Sequence, residues 1–214
     1  DIVGATGPKN FAEFWDVDRF KGTRALRKFP RETIEAALRA DGVAPGDDIY
    51  KVLSTPAGWD RAFKKLDQIK KHIAVWWSNT SETAQLLRTG QAALCPTFIS
   101  QVRVVKEAGT ALNWTWQDGF YGVEGFSVLK GTPKADIARK FVKFCARADR
   151  QAVFTQFVAN GPANPAAIKY VDQKHREFLP TDPANFSAMQ PVNETFWAQN
   201  RATALERFQT WLIT

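Results

Sequence analysis

The sequence is poor in the side chains that most often bind metals or attack substrates. Its 214 residues include only two cysteines, Cys95 and Cys145, and two histidines, His72 and His175. The cysteines lie far apart in apolar surroundings, which favours two buried free thiols, with a disulfide as the alternative. Neither cysteine belongs to a C-x-x-C pair, so we expect no metal site.

Motifs for nucleotide binding and for nucleophilic catalysis are also missing. No P-loop and no G-x-G-x-x-G sequence opens a predicted helix. The segment GFSVL at 125–129 has one glycine of a nucleophile elbow and runs into a predicted strand, so Ser127 is interpreted as structural. His72 and His175 have no nucleophile as a partner. We therefore expect no enzyme activity and no cofactor.

Long apolar runs are absent as well, and the first residues do not resemble a signal peptide. Charged residues make up 24% of the chain and no apolar run approaches the roughly 18 residues of a membrane span, so we expect no membrane insertion. The start DIVG resembles neither a translation start nor a signal peptide, and we expect that an upstream segment was removed. The net charge of +7 raises a nucleic-acid or anionic-surface alternative, but the paired lysines fall on a helical polar face, so we expect no nucleic-acid partner.

What is present alternates between strand and helix patterns in the first part of the chain. We predict strands at 23–26, 73–77, 91–100, 114–116 and 126–129, with Pro96 interrupting the third. Helices are predicted after Pro30 through Leu38, at 60–71, from Asn79 to Gly90 and at 102–108, with a polar loop at 45–48. Beyond residue 130 we predict helices from 132, over 149–158 and after Asn193, with almost no strand. The pattern predicts an α/β lobe followed by a helix-rich remainder that has no sheet to cover.

Polar and aromatic residues cluster where predicted strands end and helices begin. Ligands of open α/β sheets lie outside the carboxyl ends of the strands. Four such turns occur, at 27–33, 77–81, 97–101 and 121–124, and their mixture of rings, hydroxyls and acids suits a small polar or cationic ligand. In the doublet Trp76-Trp77 the two rings point to opposite faces, and we expect Trp76 in the core and Trp77 at the ligand.

Several segments in order resemble a family of transport proteins. They are GPKNFAEFWD at 7–16, RALR at 24–27, EAAL at 35–38, ADGV at 40–43, DRAFKKLD at 60–67, WWS at 76–78, AQLL at 84–87 and GPAN at 161–164. This series resembles the spermidine/putrescine-type periplasmic solute-binding proteins of ABC transporters.

The resemblance implies a type II periplasmic-binding-protein-like α/β fold, in which two lobes close on a solute that is delivered to a membrane permease. It implies that residues 1–122 form the second lobe and that 123–214 return to a helix-rich, incomplete first lobe. A periplasmic protein that binds a polyamine-like solute would follow. The alternative is a two-lobed enzyme that acts on a small amine-bearing metabolite, with Glu124 as the acid to test.

The resemblance also directs the choice of site residues. Glu32 and Glu124 match places where the family carries acids, and Phe98 matches an aromatic position. Phe29 stands where a further acid is expected, which makes a diamine or another amine-bearing solute as good a candidate as spermidine. The candidate ligand-binding residues are Glu32, Trp77, Ser78, Phe98, Ser100, Tyr121 and Glu124.

Overall fold

A computed structural model describes residues 7–214, which fall into two units. The first unit contains the described residues up to Phe120 together with Ala188–Thr214, and the second contains Tyr121–Ser187. The expected boundary at 122 lies close to the observed one, but the last 27 residues belong to the first unit and not with 123–187. The expectations about the Asp1 start lie outside the described residues.

The first unit combines short parallel strands with helices. Up to residue 120 its elements are α1 (Phe11–Trp15), β1 (Arg24–Arg27), α2 (Pro30–Ala40), α3 (Asp47–Leu53), α4 (Pro56–Lys70), β2 (Ile73–Trp77), α5 (Thr80–Thr89) and α6 (Ile99–Glu107). The strand β3 (Phe120–Tyr121) ends this part of the chain.

The second unit follows β3, and the chain then returns to the first unit. The second unit contains α7 (Ala135–Cys145), α8 (Ala148–Thr155), a 3₁₀ helix (Pro165–Tyr170), α9 (Gln173–Arg176) and α10 (Pro183–Phe186). The returning chain adds β4 (Gln190–Pro191) and α11 (Glu194–Ile213) to the first unit.

Two parallel strands place the carboxyl ends of β1 and β2 side by side. Leu26 pairs with Trp76, and Arg27 pairs with Trp77. Paired residues of neighbouring strands point to the same face, so Arg27 and Trp77 share one face. The predictions of strands near 23–26 and at 73–77 are confirmed.

The predicted strand at 91–100 reduces to a single bridge. Leu94 pairs with Arg24, and the Ala25 N–H donates to the Leu94 carbonyl oxygen at 2.9 Å. Pro96 has no N–H for a ladder, and α6 already begins at Ile99. The strand prediction for residues 96–100 was therefore wrong.

Helices α2, α4 and α11 enclose the main core. Ile34 and Leu38 of α2, Leu66 of α4, and Trp197 and Phe208 of α11 are buried in one cluster. The amphipathic pattern of α4 predicted that its apolar face needs a partner, but the sequence placed α11 in the other lobe and did not predict that α11 packs here. The C-terminal helix is therefore part of the core of the first unit.

Local end signals explain most helix boundaries. Thr55 caps α4 by accepting from the Gly58 N–H at 3.1 Å, and Pro56 then occupies the first turn. Asn79 caps α5, and Gly90 ends it with a left-handed φ of 71°. Asn193 caps α11 by accepting from the Phe196 N–H at 2.9 Å. The predicted caps at Asn79, Gly90 and Asn193 are confirmed.

Three other predictions of local structure were wrong. The polar segment at 45–48 is not all loop, because α3 begins at Asp47, where two acids favour a helix start. Residues 114–116 are irregular rather than a strand. Residues 126–129 are also irregular, and Phe126 instead makes an edge-on contact with Phe141 of α7 at 5.8 Å between ring centroids.

The second unit has a small core and an apolar helix with little cover. Ala152, Ala167, Val171 and Leu179 form its buried cluster. All residues of α7 are described and none of them is buried, although its apolar residues repeat at helical spacing. The sequence predicted helices with no sheet to cover beyond residue 130, and the described helices of this unit agree with that prediction.

Candidate functional site

The turn after β1 holds an arginine among three aromatic rings. The guanidinium carbon of Arg27 lies 5.1 Å from the ring centre of Phe29, 5.7 Å from Trp77 and 5.5 Å from Phe98. Such distances are typical of cation–π attraction. The side chain keeps 27% of its surface exposed, so its charge can be reached from solvent. The three rings therefore hold a cation that can still accept an anionic partner.

Glu32 binds this arginine from a strained turn. Its carboxylate forms an ion pair with Arg27 and a second one with the Arg31 Nε at 3.3 Å. The backbone of Glu32 has φ 71° and ψ −36°, a left-handed conformation that is uncommon for a residue with a Cβ. The Thr33 hydroxyl donates to the Arg27 carbonyl oxygen at 3.0 Å and closes the turn.

A buried acid lies directly behind this turn. Glu35 is fully buried, and its Oε2 accepts from the Glu32 N–H at 2.6 Å. Its Oε1 accepts from the Tyr50 hydroxyl at 3.0 Å and from the Trp197 indole N–H at 2.6 Å. Burial, opposed by these hydrogen bonds, raises the pKa of Glu35 to about 7. Burial and the neighbouring Glu35 raise the pKa of Tyr50.

Trp77 forms the floor of the arginine pocket. It is only 2% exposed, and its ring lies edge-on to Phe98 with 6.5 Å between centroids. Its indole nitrogen is buried and has no hydrogen-bond partner within residues 7–214. Trp76 points to the other face and contacts Phe208 and Trp211 of α11, as the strand alternation predicts.

The start of α6 forms another wall of the pocket. Phe98 occupies the N-cap position and has no side-chain oxygen to accept from the first N–H groups of the helix. Ser100 lies in that first turn and is half-buried. An uncapped helix start beside a guanidinium is an electrostatically positive corner.

The structure brings some predicted site residues together. Glu32, Trp77 and Phe98 all contact Arg27, so the turns at 27–33, 77–81 and 97–101 converge at the carboxyl ends of the strands. Ser78 is exposed, and its N–H donates to Glu82 Oε2 at 3.4 Å, which gives it a role in starting α5.

Two predicted residues belong to the second unit. Tyr121 packs on Phe186 with 4.8 Å between ring centroids, and Glu124 is exposed.

Sequence reasoning missed the residues at the centre of the pocket. Arg27 lies at the edge of a predicted turn but was not selected, because the expected ligand was a cation. Phe29 was noted only as a missing acid. The signal that could have identified both is a cationic and an aromatic side chain two positions apart, Arg27 and Phe29, at the end of the first predicted strand.

Other kinds of site find little support in the described chain. No group of three or more histidine, cysteine, aspartate or glutamate residues is placed to hold a metal ion among residues 7–214. Cys95 and Cys145 are both free thiols, and burial raises the pKa of Cys95 to about 12. Of the helices that the structure describes, none has the length and apolar character needed to cross a membrane.

Comparison with protein families decides the kind of protein. The family model described as bacterial extracellular solute-binding protein matches residues 1–186. The chain belongs to this family. By the family's description, its members are extracellular proteins that bind solutes.

Two relatives show substantial sequence identity to this family member. The gamma-aminobutyric acid-binding protein of Pseudomonas aeruginosa is 36% identical over 207 residues, which are 97% of this chain and 58% of that protein. The crystal structure of the periplasmic binding protein MotA from A. tumefaciens B6 with glucopine matches at 30% identity and a TM-score of 0.86. That match covers 99% of this chain and 66% of MotA, so the chain spans about three fifths to two thirds of these relatives.

Polyamine-binding proteins are more distant neighbours. The spermidine/putrescine-binding protein PotD of Streptococcus pneumoniae has a TM-score of 0.69 over 98% of this chain and 64% of its own, but 13% identity, which shows the fold alone. The predicted α/β periplasmic-binding-protein-like fold is confirmed. The expected solute-binding family is confirmed in its general form, whereas polyamine specificity is not.

Proposed function

We propose that this chain belongs to the solute-binding component of an ABC transporter and that its solute carries a carboxylate together with an amine. The observation that supports the proposal is Arg27, held among three aromatic rings at the carboxyl ends of the strands. A guanidinium offers five N–H donors in a fork that fits a carboxylate. Within the described chain Glu32 is the only side-chain acceptor bound to it, so most of these donors remain available.

The charges around the pocket favour an anionic group. Arg31 and Arg201 lie close to Arg27, since Arg31 shares Glu32 with it and Arg201 lies 5.8 Å from the Phe29 ring. Against these three cations stand Glu32 and Glu194, both paired with arginines, and the buried Glu35, whose pKa of about 7 leaves it only partly ionised at neutral pH. A solute carboxylate would therefore enter a net positive surrounding.

The same charges weigh against a polyamine. A polyamine needs carboxylates that are free to neutralise its amines, but Glu32 is shared between two arginines. The ring faces that would stack on a polyamine already contact a guanidinium. Tyr121 and Glu124, on the second unit, stay predictions from the sequence.

The relatives agree with this class of solute. Gamma-aminobutyric acid carries one carboxylate and one amine, and it is named as the ligand of the Pseudomonas aeruginosa relative. The complex of MotA contains glucopine. We propose 4-aminobutyrate or an opine-like amino acid as the solute, a periplasmic location, and an ABC permease as the partner. The enzyme alternative gains no support from the family.

Titration calorimetry on the protein in its full natural length tests the proposal. A thermal-shift panel of 4-aminobutyrate, opines, putrescine and spermidine selects the solute. We expect Arg27→Met to weaken binding of 4-aminobutyrate about 100-fold, because a charge-assisted contact is lost. Arg27→Lys keeps the charge without the fork and should weaken it less.

The matched control is Arg61→Met, which removes an exposed arginine of α4 that pairs with Asp41. This variant should bind as the parent does. Binding of putrescine with no response to any carboxylate, or full affinity in Arg27→Met, would contradict the proposal.

A further inference from the structure

Glu35 connects the arginine pocket to the core of the first unit. It is a fully buried acid on α2, with Tyr50 of α3 and Trp197 of α11 both donating to its Oε1. Its other oxygen, Oε2, is the acceptor for the Glu32 N–H at 2.6 Å. One carboxylate thus joins three helices on one side and the ligand turn on the other.

The turn that Glu35 holds needs outside support. Glu32 has φ 71°, and residues other than glycine avoid this region because Cβ crowds the backbone. Residues in such conformations persist where surrounding contacts hold them. A hydrogen bond from the Glu32 N–H to a buried carboxylate is a contact of that kind.

The conformation of Glu32 in turn determines how Arg27 is presented. The Glu32 carboxylate binds the Arg27 guanidinium and the Arg31 Nε. If the Glu32 backbone relaxed to φ below zero, its side chain would leave this position. Arg27 would then lose the acid that orients its fork.

We propose that Glu35 is the positioning residue of the Arg27 pocket. Its Oε2 fixes the left-handed turn at Glu32, and through Glu32 it sets the orientation in which Arg27 receives a carboxylate. This inference rests on the proposed function of Arg27. Glu35 itself, fully buried, does not touch the solute.

The substitution Glu35→Gln separates positioning from packing. The amide oxygen can still accept from Tyr50 and Trp197, because turning it away would leave the Trp197 N–H facing another donor. The amide NH₂ then faces the Glu32 N–H, so two donors meet where a hydrogen bond had been. The shape of the side chain and its anchors in the core are kept.

Tyr50→Phe provides the matched control. It removes one donor to Oε1 and the acceptor of the Asn193 N–H, which lies 2.8 Å away, but leaves the bond to Glu32 in place. A purely structural role of Glu35 predicts that both variants act alike. A positioning role predicts that only Glu35→Gln changes binding.

The experiment is calorimetric titration of the full-length protein with 4-aminobutyrate at pH 8, where the carboxylate is ionised. We expect Glu35→Gln to weaken binding about tenfold and Tyr50→Phe to change it less than about twofold, although both lower the melting temperature. In a Glu32→Gly background, where the left-handed turn is unstrained and the acid is gone, Glu35→Gln should have no further effect on affinity.

The outcomes separate this inference from the proposed function. If Arg27→Met binds 4-aminobutyrate normally, both are overturned. If Arg27→Met abolishes binding while Glu35→Gln leaves it intact, only the positioning role is overturned. Equal losses in Glu35→Gln and Tyr50→Phe, or an undiminished effect of Glu35→Gln in the Glu32→Gly background, would also overturn it.

Discussion

At the scale of single residues, the proposed preference for a solute with a carboxylate rests on the sign of one charge. The expected pocket was a set of acids and rings around a cationic solute. In the structure the rings of Phe29, Trp77 and Phe98 surround a cation that belongs to the protein. The proposal of a carboxylate-bearing solute follows from this cation, which a count of rings and acids in the sequence could not reveal.

Trp77 shows how far the residue scale can be read from the sequence. The strand alternation correctly separated Trp76 from Trp77, because period two is a property of the backbone. It could not tell that Trp77 would be 2% exposed, with Phe98 beside its ring. That burial depends on the position of α6, and no local pattern around residue 77 encodes it.

The titration of Glu35 gives a prediction for stability. Its pKa is raised from 4.5 to about 7 in the folded protein, chiefly by burial. The folded state therefore holds this proton more tightly than the unfolded state, and stability falls as pH rises from about 5 through 7. We expect the folded protein to lose about 2 to 3 kcal/mol between pH 5 and pH 8 relative to Glu35→Gln. Urea unfolding of both proteins at several pH values measures this difference.

The comparison with Glu35→Gln is needed because other carboxylates also titrate below pH 5. Their contribution is common to both proteins and cancels in the difference. A difference in unfolding free energy that stays constant from pH 5 to pH 8 would contradict a raised pKa of Glu35 in the folded protein.

At the scale of elements, the contact between α3 and α4 depends on a residue without a side chain. Gly58 lies in the first turn of α4, and a Cβ at this position would overlap the carbonyl group of Val52 in α3. We expect Gly58→Ala to lower the free energy of unfolding by about 3 kcal/mol, because a backbone carbonyl cannot rotate away as a side chain can. Thermal and urea unfolding measure the loss.

Gly125→Ala is the matched control, since nothing lies within 4 Å of the position of its Cβ. It should change the free energy of unfolding by less than about 0.5 kcal/mol. If the two alanine substitutions had similar effects, the close approach of α3 and α4 would be refuted.

Helices were predicted more successfully than strands, because helix signals lie within the helix itself. Helices with a cap, a period and a stop signal, such as α5 with Asn79 and Gly90, are fixed by local chemistry and were found. Strands need a partner that the sequence does not name. The run at 73–77 has β1 beside it, whereas the runs at 114–116 and 126–129 have no strand paired with them in the described chain.

At the scale of the whole molecule, the chain crosses between its two units at 120/121 and at 187/188. Within the first unit, the two chain segments next to these crossings are hydrogen-bonded to each other. The Asp118 N–H donates to the Ala188 carbonyl oxygen at 3.0 Å, and the Gln190 N–H donates to the Gly119 carbonyl oxygen at 2.8 Å. The sequence suggested a boundary near 122 and a return of residues 123–214 to the other lobe. It did not predict that residues 188–214 join the unit of residues 7–120, because that placement depends on α11 packing on a core made by distant helices.

A buried ion pair anchors this junction to α2. The Asp118 Oδ1 accepts from the Arg39 Nη2 at 2.5 Å and from Nε at 3.2 Å, and Asp118 is buried with a left-handed φ of 63°. Asp118→Asn keeps a side chain that tolerates this conformation but leaves the Arg39 charge without its partner. We expect a loss of about 3 kcal/mol in unfolding free energy, together with faster amide hydrogen exchange over residues 188–192.

The exposed pair Lys51–Asp48 supplies the control, since Asp48→Asn should cost less than about 1 kcal/mol and leave exchange at the junction unchanged. Normal stability and exchange in Asp118→Asn would show that the backbone pairing holds the junction without the ion pair.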